Sequence, residues 1–116
     1  MSADLYLSTA VKLLEKIQST QMDNIKDAAD LMAGSIAAGK AVLPFGSGHS
    51  VISVMDLFPR YGSYVGFVPI MDARLMWTTV VGSGGAVEVI WQERQEGYAE
   101  VMMRGRRLNR GDTMLI

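Results

Sequence analysis

The amino-acid sequence predicts an α/β domain, in which a parallel sheet with crossover helices follows two N-terminal helices. Apolar residues at helical spacing fill residues 2–39, and beyond them short apolar segments alternate with helical ones: strand, helix, strand, helix, strand. This alternation is typical of parallel sheets whose strands are joined by helices. We therefore assign residues 1–116 to a single domain, with a helical arm at 1–39 and an α/β portion at 40–116.

The helical arm is expected to contain two helices, because its apolar residues recur at three- and four-residue intervals on either side of a polar break. Ser2 is a suitable N-cap for the first helix, and Ser19 and Thr20 form the break. Thr20 together with Asp23 resembles a capping box for the second helix. Gly39 suits the left-handed residue that commonly follows the last helical turn.

Three apolar segments supply the strands of the expected sheet. They are Ala41–Phe45, Tyr64–Ile70 and Thr113–Ile116. Pro44 has no amide to donate to a neighbouring strand, so we expect it at the exit of the first strand or at a position without a partner. The chain stops within the third strand. Because a three-stranded sheet with a bare edge buries little for its size, we expect further chain or another subunit to complete it.

Helical patterns fill the intervals between these strands. They cover Val51–Tyr61, Ala73–Trp77 and Val87–Met103. Pro59 falls inside the first pattern and should kink or end that helix. Asp72 is placed to cap the second. Each crossover connection of the sheet is therefore expected to contain helix, and Gly82–Gly85 is expected to be a loop within the second one.

Composition excludes several classes of function. The chain carries 11 basic and 12 acidic residues, so no net field attracts nucleic acid or an anionic membrane. It contains no cysteine, which excludes disulfides, thiolate catalysis and sulfur-ligated zinc. The N-terminus lacks a secretion signal, and no apolar run reaches the ~18 residues of a membrane span. We expect a cytoplasmic protein with neither nucleic acid nor membrane as a partner.

The segment between the first strand and the following helix carries the candidate chemistry. It comprises Gly46, Ser47, Gly48, His49 and Ser50. Glycine allows a sharp turn and close approach of a ligand, the helix amides favour an anion, and the two serines add hydroxyl donors. The carboxyl end of a strand is also where open α/β sheets bind ligands. The segment is therefore either a phosphate cradle or simply a strand-to-helix turn with a serine cap. Its glycine spacing fits neither the Walker loop nor the dinucleotide fingerprint.

Residues 41–50 resemble the first phosphate loop of the sugar isomerase (SIS) domain family, and further motifs resemble its phosphoheptose-isomerase-like subgroup. In order, these motifs are Phe45–Ser50, Asp56–Phe58, Arg60, Gly62, Pro69–Asp72, Leu75–Met76, Glu93–Arg94 and Glu96–Ala99. The resemblance covers nearly the whole chain. It implies a flavodoxin-like SIS fold, a phosphorylated sugar held by two serine- and threonine-rich loops, and a homodimer or higher homo-oligomer. Only the first loop is present, so the chain would be the N-terminal half of such a domain.

The resemblance also indicates two candidate catalytic residues. In the heptose-phosphate isomerases a glutamate on the helix after the first loop takes part in proton transfer, and Asp56 falls near that position. Asp56 is one methylene shorter, and an adjacent acidic position of the subgroup is Met55 here, so a solvated carboxylate is the alternative. His49, the only histidine, could contact the ligand, act as acid or base, or merely bond the loop.

The expected function is therefore binding of a sugar phosphate, as an aldose–ketose isomerase that needs a general base beside the sugar. A non-catalytic phosphosugar-sensing domain and a structural fragment without a ligand are the alternatives. We expect no cofactor. One histidine without cysteine does not form a typical zinc site, so we expect no metal held by this chain alone; a metal shared with other chains remains open.

Overall fold

A computed structural model describes residues 2–57, 61–76 and 85–116. The chain divides into two compact units, Met1–Gly34 and Ser35–Ile116. The elements in chain order are α1 (Ala3–Ala37), β1 (Val42–Pro44), α2 (Val51–Asp56), a 3₁₀ turn (Ala73–Leu75), α3 (Gly85–Glu93), α4 (Tyr98–Met103) and β2 (Thr113–Leu115). The fold is thus mixed α/β with a small parallel sheet, as the sequence predicts.

One long helix, α1, replaces the two helices expected in the arm. The cap at Ser2 is confirmed, because its Oγ accepts a hydrogen bond from the amide of Leu5 at 3.2 Å. At the expected break, the hydroxyls of Ser19 and Thr20 donate to the carbonyl of Lys16 at 3.0 and 2.7 Å. Serine and threonine in a helix can bond back to the preceding turn in this way. The prediction of a second capped helix at Thr20 is therefore wrong.

The C-terminal end of α1 is tied to the sheet within the unit Ser35–Ile116. Gly39 ends the helix as predicted, with a φ of 70° and its amide bonded to the carbonyl of Ile36 at 2.9 Å. The buried Ser35 shares a hydroxyl–hydroxyl hydrogen bond of 2.7 Å with Thr113, the first residue of β2. Gly66 lies so close to Ile36 that a Cβ there would come within 2.8 Å of that side chain.

The sheet consists of β1 and β2, which pair in parallel with Val42 opposite Thr113 and Pro44 opposite Leu115. The strand predicted at Tyr64–Ile70 is reduced to two isolated parallel bridges, from Phe67 to Val42 of β1 and from Ile70 to Phe45, which directly follows β1. The predicted third strand is thus present as β2, whereas the predicted second strand is incomplete.

Pro44 accounts for the interrupted pairing between β1 and residues 66–70. The amide of Val42 donates to Gly66, and the amides of Val68 and Ile70 donate to the carbonyls of Val42 and Pro44, each at 2.8 Å. Since proline has no amide, the alternate bond that would point from position 44 to the carbonyl of Val68 is not formed. Pro44 is the last residue of β1, which confirms its predicted place at the exit of the strand.

The helices between the strands are shorter than the patterns indicate. The helix expected over Val51–Tyr61 ends at Asp56, and Pro59 lies outside the described residues. The helix expected over Val87–Met103 is two helices, α3 and α4, because Gly97 adopts a left-handed φ of 81° between them. Asp72 caps the 3₁₀ turn as predicted, accepting a bond from the amide of Arg74 at 2.9 Å; Trp77, the expected end of that helix, lies outside the described residues.

The buried apolar residues of the larger unit come from β1, α2, α3 and the segment around the 3₁₀ turn. They are Val42, Leu43, Val51, Val54, Ile70, Leu75 and Val89. Because β1 and α2 are both anchored in this core, the loop that joins them is held at each end. Within the described ranges, no helix combines the length and the apolar character that crossing a membrane requires.

Candidate functional site

The loop Gly46–Ser50 leaves the carboxyl end of β1 and enters α2, as expected. Gly46 is buried, and a Cβ on it would lie 2.6 Å from the carbonyl oxygen of Ser50. Real Cβ atoms essentially never approach backbone that closely, so position 46 requires glycine. Gly48 has a left-handed φ of 55°, and its amide donates to the carbonyl of Leu75 at 2.7 Å. The two glycines thus set the path of the loop.

Several amides of the loop and the first turn of α2 bond within the protein. The amide of Ser50 donates to Ser47 at 3.0 Å, and that of Ile52 donates to His49 at 3.1 Å. The amide of Ser47 donates to no backbone carbonyl among the residues described. The Ser50 side chain is exposed and makes no capping hydrogen bond to α2. The hydroxyl of Ser50 is consequently a more available donor than the converging amides expected from the sequence.

Two cavities formed by described residues divide the predicted binding residues between them. Ser47 lines a cavity of about 220 Å³ together with residues of α3 and α4. Ser50 lines a separate cavity of about 310 Å³ that also touches β2 at Leu115. His49 is exposed at the start of the helical turn, and Gly46 and Gly48 are buried beneath the loop. The loop therefore presents its two hydroxyls to two neighbouring spaces.

Asp56, the predicted catalytic carboxylate, is the exposed last residue of α2. It lines an open depression on the helix surface together with Ser53. Ser53 also lines the cavity of Ser50, so Asp56 is a neighbour of that cavity. Among the cavities formed by described residues, the one lined by Ser47 does not include Asp56.

Glu93 is a site residue that the sequence reasoning missed. The hydroxyl of Ser47 donates a hydrogen bond to the carboxylate of Glu93, which is the last residue of α3 and 46 positions away in the chain. The packing of α3 against the 3₁₀ turn brings the two together. The Glu93–Arg94 motif belongs to the resemblance, and it was the only signal in the sequence that could have identified this carboxylate.

A second polar cluster joins the 3₁₀ turn to α4. Asp72 accepts hydrogen bonds from Arg74 Nε at 3.1 Å, from Arg74 Nη2 at 2.9 Å and from the hydroxyl of Tyr98. The Arg74 guanidinium, placed 5.1 Å from the centre of the Tyr98 ring, is the main reason that the pKa of Asp72 falls from 3.8 to about 2; partial burial of the carboxyl opposes this shift. Burial and the neighbouring carboxylate raise the pKa of Tyr98. Sequence reasoning identified Asp72 as a helix cap and as part of the Pro69–Asp72 motif, but not as the partner of Arg74 and Tyr98.

No group of three or more histidine, aspartate or glutamate side chains in ranges 2–57, 61–76 and 85–116 is arranged to hold a metal ion. The polar side chains described at the site carry hydroxyl and carboxylate groups. These groups can bind by hydrogen bonding and can exchange protons.

Comparison with known proteins shows what this arrangement is similar to. The family model of the SIS domain matches residues 5–116. The UPF0309 protein of Caldanaerobacter subterraneus subsp. tengcongensis is 32% identical over 114 residues, which cover 97% of this chain and 44% of the relative. The UPF0309 protein of Listeria innocua is 31% identical over 111 residues, which cover 96% of this chain and 43% of the relative. The chain thus spans less than half the length of the curated relatives it matches.

Proposed function

Because this chain belongs to the SIS domain family, we propose that it binds a phosphorylated sugar at the loop Gly46–Ser50. The observation that carries the proposal is the close packing of Gly46 against the carbonyl of Ser50, which folds the loop tightly at the carboxyl end of β1. That position is where ligands bind to open α/β sheets. The hydroxyls of Ser47 and Ser50 then flank the bend as donors to a phosphate.

In the finer form of the proposal, the protein is an aldose–ketose isomerase similar to the phosphoheptose isomerases. Such a reaction moves a proton between adjacent carbons and needs a positioned base. Asp56 and His49 are our candidates for acid–base catalysis, and both are exposed near the start or end of α2. Gly46 and Gly48 contribute the backbone path that lets the phosphate approach.

A non-catalytic phosphosugar sensor is the second candidate. The observation that favours it is the separation of Asp56 from the cavity of Ser47, since a base must reach the sugar carbons. Turnover of a sugar-phosphate panel by the protein would favour the isomerase. Saturable binding of a sugar phosphate without interconversion would favour the sensor.

Replacing Ser50 with alanine should weaken the binding of a sugar phosphate by about tenfold or more, because a hydrogen bond to a charged group contributes roughly 1.5–3 kcal/mol. Isothermal titration calorimetry measures the loss. The melting temperature should stay unchanged, since the Ser50 side chain makes no capping bond to α2. Ser19→Ala on α1 is the matched control, because it removes an exposed hydroxyl that bonds only its own helix. Normal affinity in Ser50→Ala would show that Ser50 does not contact the phosphate.

We further propose that the chain is the N-terminal part of a single SIS-type domain, with a helical arm at 1–39 and an α/β portion at 40–116. Its coverage of 43–44% of the two relatives supports this assignment. The second serine-rich loop implied by the family resemblance would then belong to the other part of the domain. Binding and turnover are therefore to be measured on the whole domain, with both loops present.

We also propose that the protein is a homo-oligomer of the cytoplasm, a dimer in the simplest case. Large apolar side chains on α1 support this, since Leu5, Leu13 and Leu14 are each more than half exposed in the chain. Sedimentation velocity at micromolar concentration should give a mass of at least two copies, and Leu14→Asp should shift the protein towards the monomer. A monomer at all concentrations would contradict the proposal.

A further inference from the structure

We infer that the cavity beside Ser47 is a subsite for the hydroxyl groups of the sugar, with the carboxylate of Glu93 as the residue that selects them. This inference rests on the proposed binding of a sugar phosphate at the loop. It extends that proposal from the phosphate to the carbohydrate portion of the ligand. We call this space, lined by Ser47, Leu75, Glu93 and Tyr98 among others, the polyol cavity.

The charge of the polyol cavity favours neutral hydroxyls over an anion. Its polar lining consists of one carboxylate, two carboxamides and two hydroxyls, on Ser47, Gln92, Glu93, Gln95 and Tyr98. Among the described residues that line it, none is a lysine, arginine or histidine. A phosphate placed there would meet the negative charge of Glu93 without a compensating cation. Sugar hydroxyls can instead donate to the carboxylate, and a hydrogen bond to an ionised acceptor is stronger than one between neutral groups.

The apolar lining of the polyol cavity matches the C–H surface of a sugar. Phe45, Leu75 and Met102 contribute apolar surface to the polyol cavity. A carbohydrate presents both C–H and hydroxyl surface, so it can contact the apolar and polar parts together. At about 220 Å³ the cavity is smaller than the roughly 300–1,000 Å³ typical of drug-sized ligands, which fits a small polyhydroxylated molecule.

Ser47 connects the two parts of the proposed site. It belongs to the loop and lines the polyol cavity, and its hydroxyl donates to Glu93 in this structure. A hydroxyl has one proton to donate, so Ser47 cannot give that proton to a phosphate and to Glu93 at once. In the complex, a sugar hydroxyl takes the place of Ser47 as the donor to Glu93, and Ser47 turns to the phosphate. Glu93 then recognises the sugar only when the phosphate is seated.

The inference is tested by comparing two probes, a sugar phosphate that the wild-type protein binds and inorganic phosphate, by calorimetry on Glu93→Gln. We expect affinity for the sugar phosphate to fall about tenfold or more while affinity for inorganic phosphate changes less than about twofold. Glu88→Gln is the matched control, because it makes the same change on the exposed surface of α3. Ala99→Leu provides a second variant, since it narrows the polyol cavity without changing charge and should also weaken only the sugar phosphate.

The other outcomes overturn the inference in recognisable ways. An equal loss of affinity for both probes in Glu93→Gln would show that Glu93 only positions the loop through Ser47. A gain of affinity for both probes would show that the charge of Glu93 merely repels the phosphate. Unchanged affinities in Glu93→Gln and Ala99→Leu would place the sugar elsewhere while the proposed function stands. A wild-type protein that binds no sugar phosphate would overturn the proposed function itself, and this inference with it.

Discussion

Replacing Gly46 with alanine should lower the free energy of unfolding by about 2–3 kcal/mol, the upper range of overpacking effects. The added Cβ would lie 2.6 Å from the carbonyl oxygen and 2.7 Å from the carbonyl carbon of Ser50. These are backbone atoms, so no side chain can rotate away to relieve the contact. Urea denaturation followed by circular dichroism measures the change as a lower midpoint with an unchanged slope.

Gly105→Ala is the control for this substitution, because a Cβ at Gly105 meets nothing within 4 Å. Its stability should stay within about 0.5 kcal/mol of the wild type, as is usual for surface changes. If Gly46→Ala is as stable as Gly105→Ala, then the loop does not pack as described. The proposed phosphate site would lose the observation that carries it.

Replacing Asp72 with asparagine should lower the free energy of unfolding at neutral pH by about 1 kcal/mol. One pKa unit corresponds to about 1.4 kcal/mol, and the pKa of Asp72 falls from 3.8 to about 2 on folding, which sets an upper limit of about 2 kcal/mol. The side chain of Asp72 is only 10% exposed, but that of Arg74 is 60% exposed, so solvent screens their interaction and brings the effect below this limit. Denaturant titrations of the two proteins measure the difference.

Titration of the Asp72 carboxylate makes the stability difference between the wild type and Asp72→Asn depend on pH. Because folding lowers the pKa of Asp72, its contribution is complete above the unfolded pKa of 3.8 and disappears as the pH falls through about 2. The difference in the free energy of unfolding between the wild type and Asp72→Asn should therefore disappear as the pH falls from about 4 to about 2. In Arg74→Gln the main cause of the shift is removed, and nuclear magnetic resonance titration should show the pKa of Asp72 moving back towards 3.8. A gap that is constant with pH would contradict the assignment.

Local patterns predicted the type of most elements but not their limits. The β1 segment, the left-handed Gly39 and the Asp72 cap depend on short-range geometry, and each is found in the structure. The extent of pairing at Tyr64–Ile70 depends on the alignment with Pro44, which no pattern within that segment contains. The break at Gly97 illustrates the same limit, since apolar spacing alone continues through it.

The sequence predicted the position of the loop in the candidate site but not which side chains contact that loop. The glycines and serines of Gly46–Ser50 predict a turn that carries hydroxyl groups, because these properties belong to the residues themselves. The division of Ser47 and Ser50 between two cavities follows from tertiary packing. So does the meeting of Ser47 with Glu93, since it requires α3 to lie against the 3₁₀ turn.

The pairing of β1 with β2 has a consequence for the order of events during biosynthesis. The carboxylate of Asp112, which binds the amide of Ala41 at 3.0 Å, is 71 residues further along the chain. The strand Val42–Pro44 thus emerges from the ribosome long before β2, so the edge that β2 covers stays unpaired, while residues 66–70 are already available to bond to the other edge. Until translation reaches Thr113, this unpaired edge is open to non-native pairing, which a chaperone would prevent.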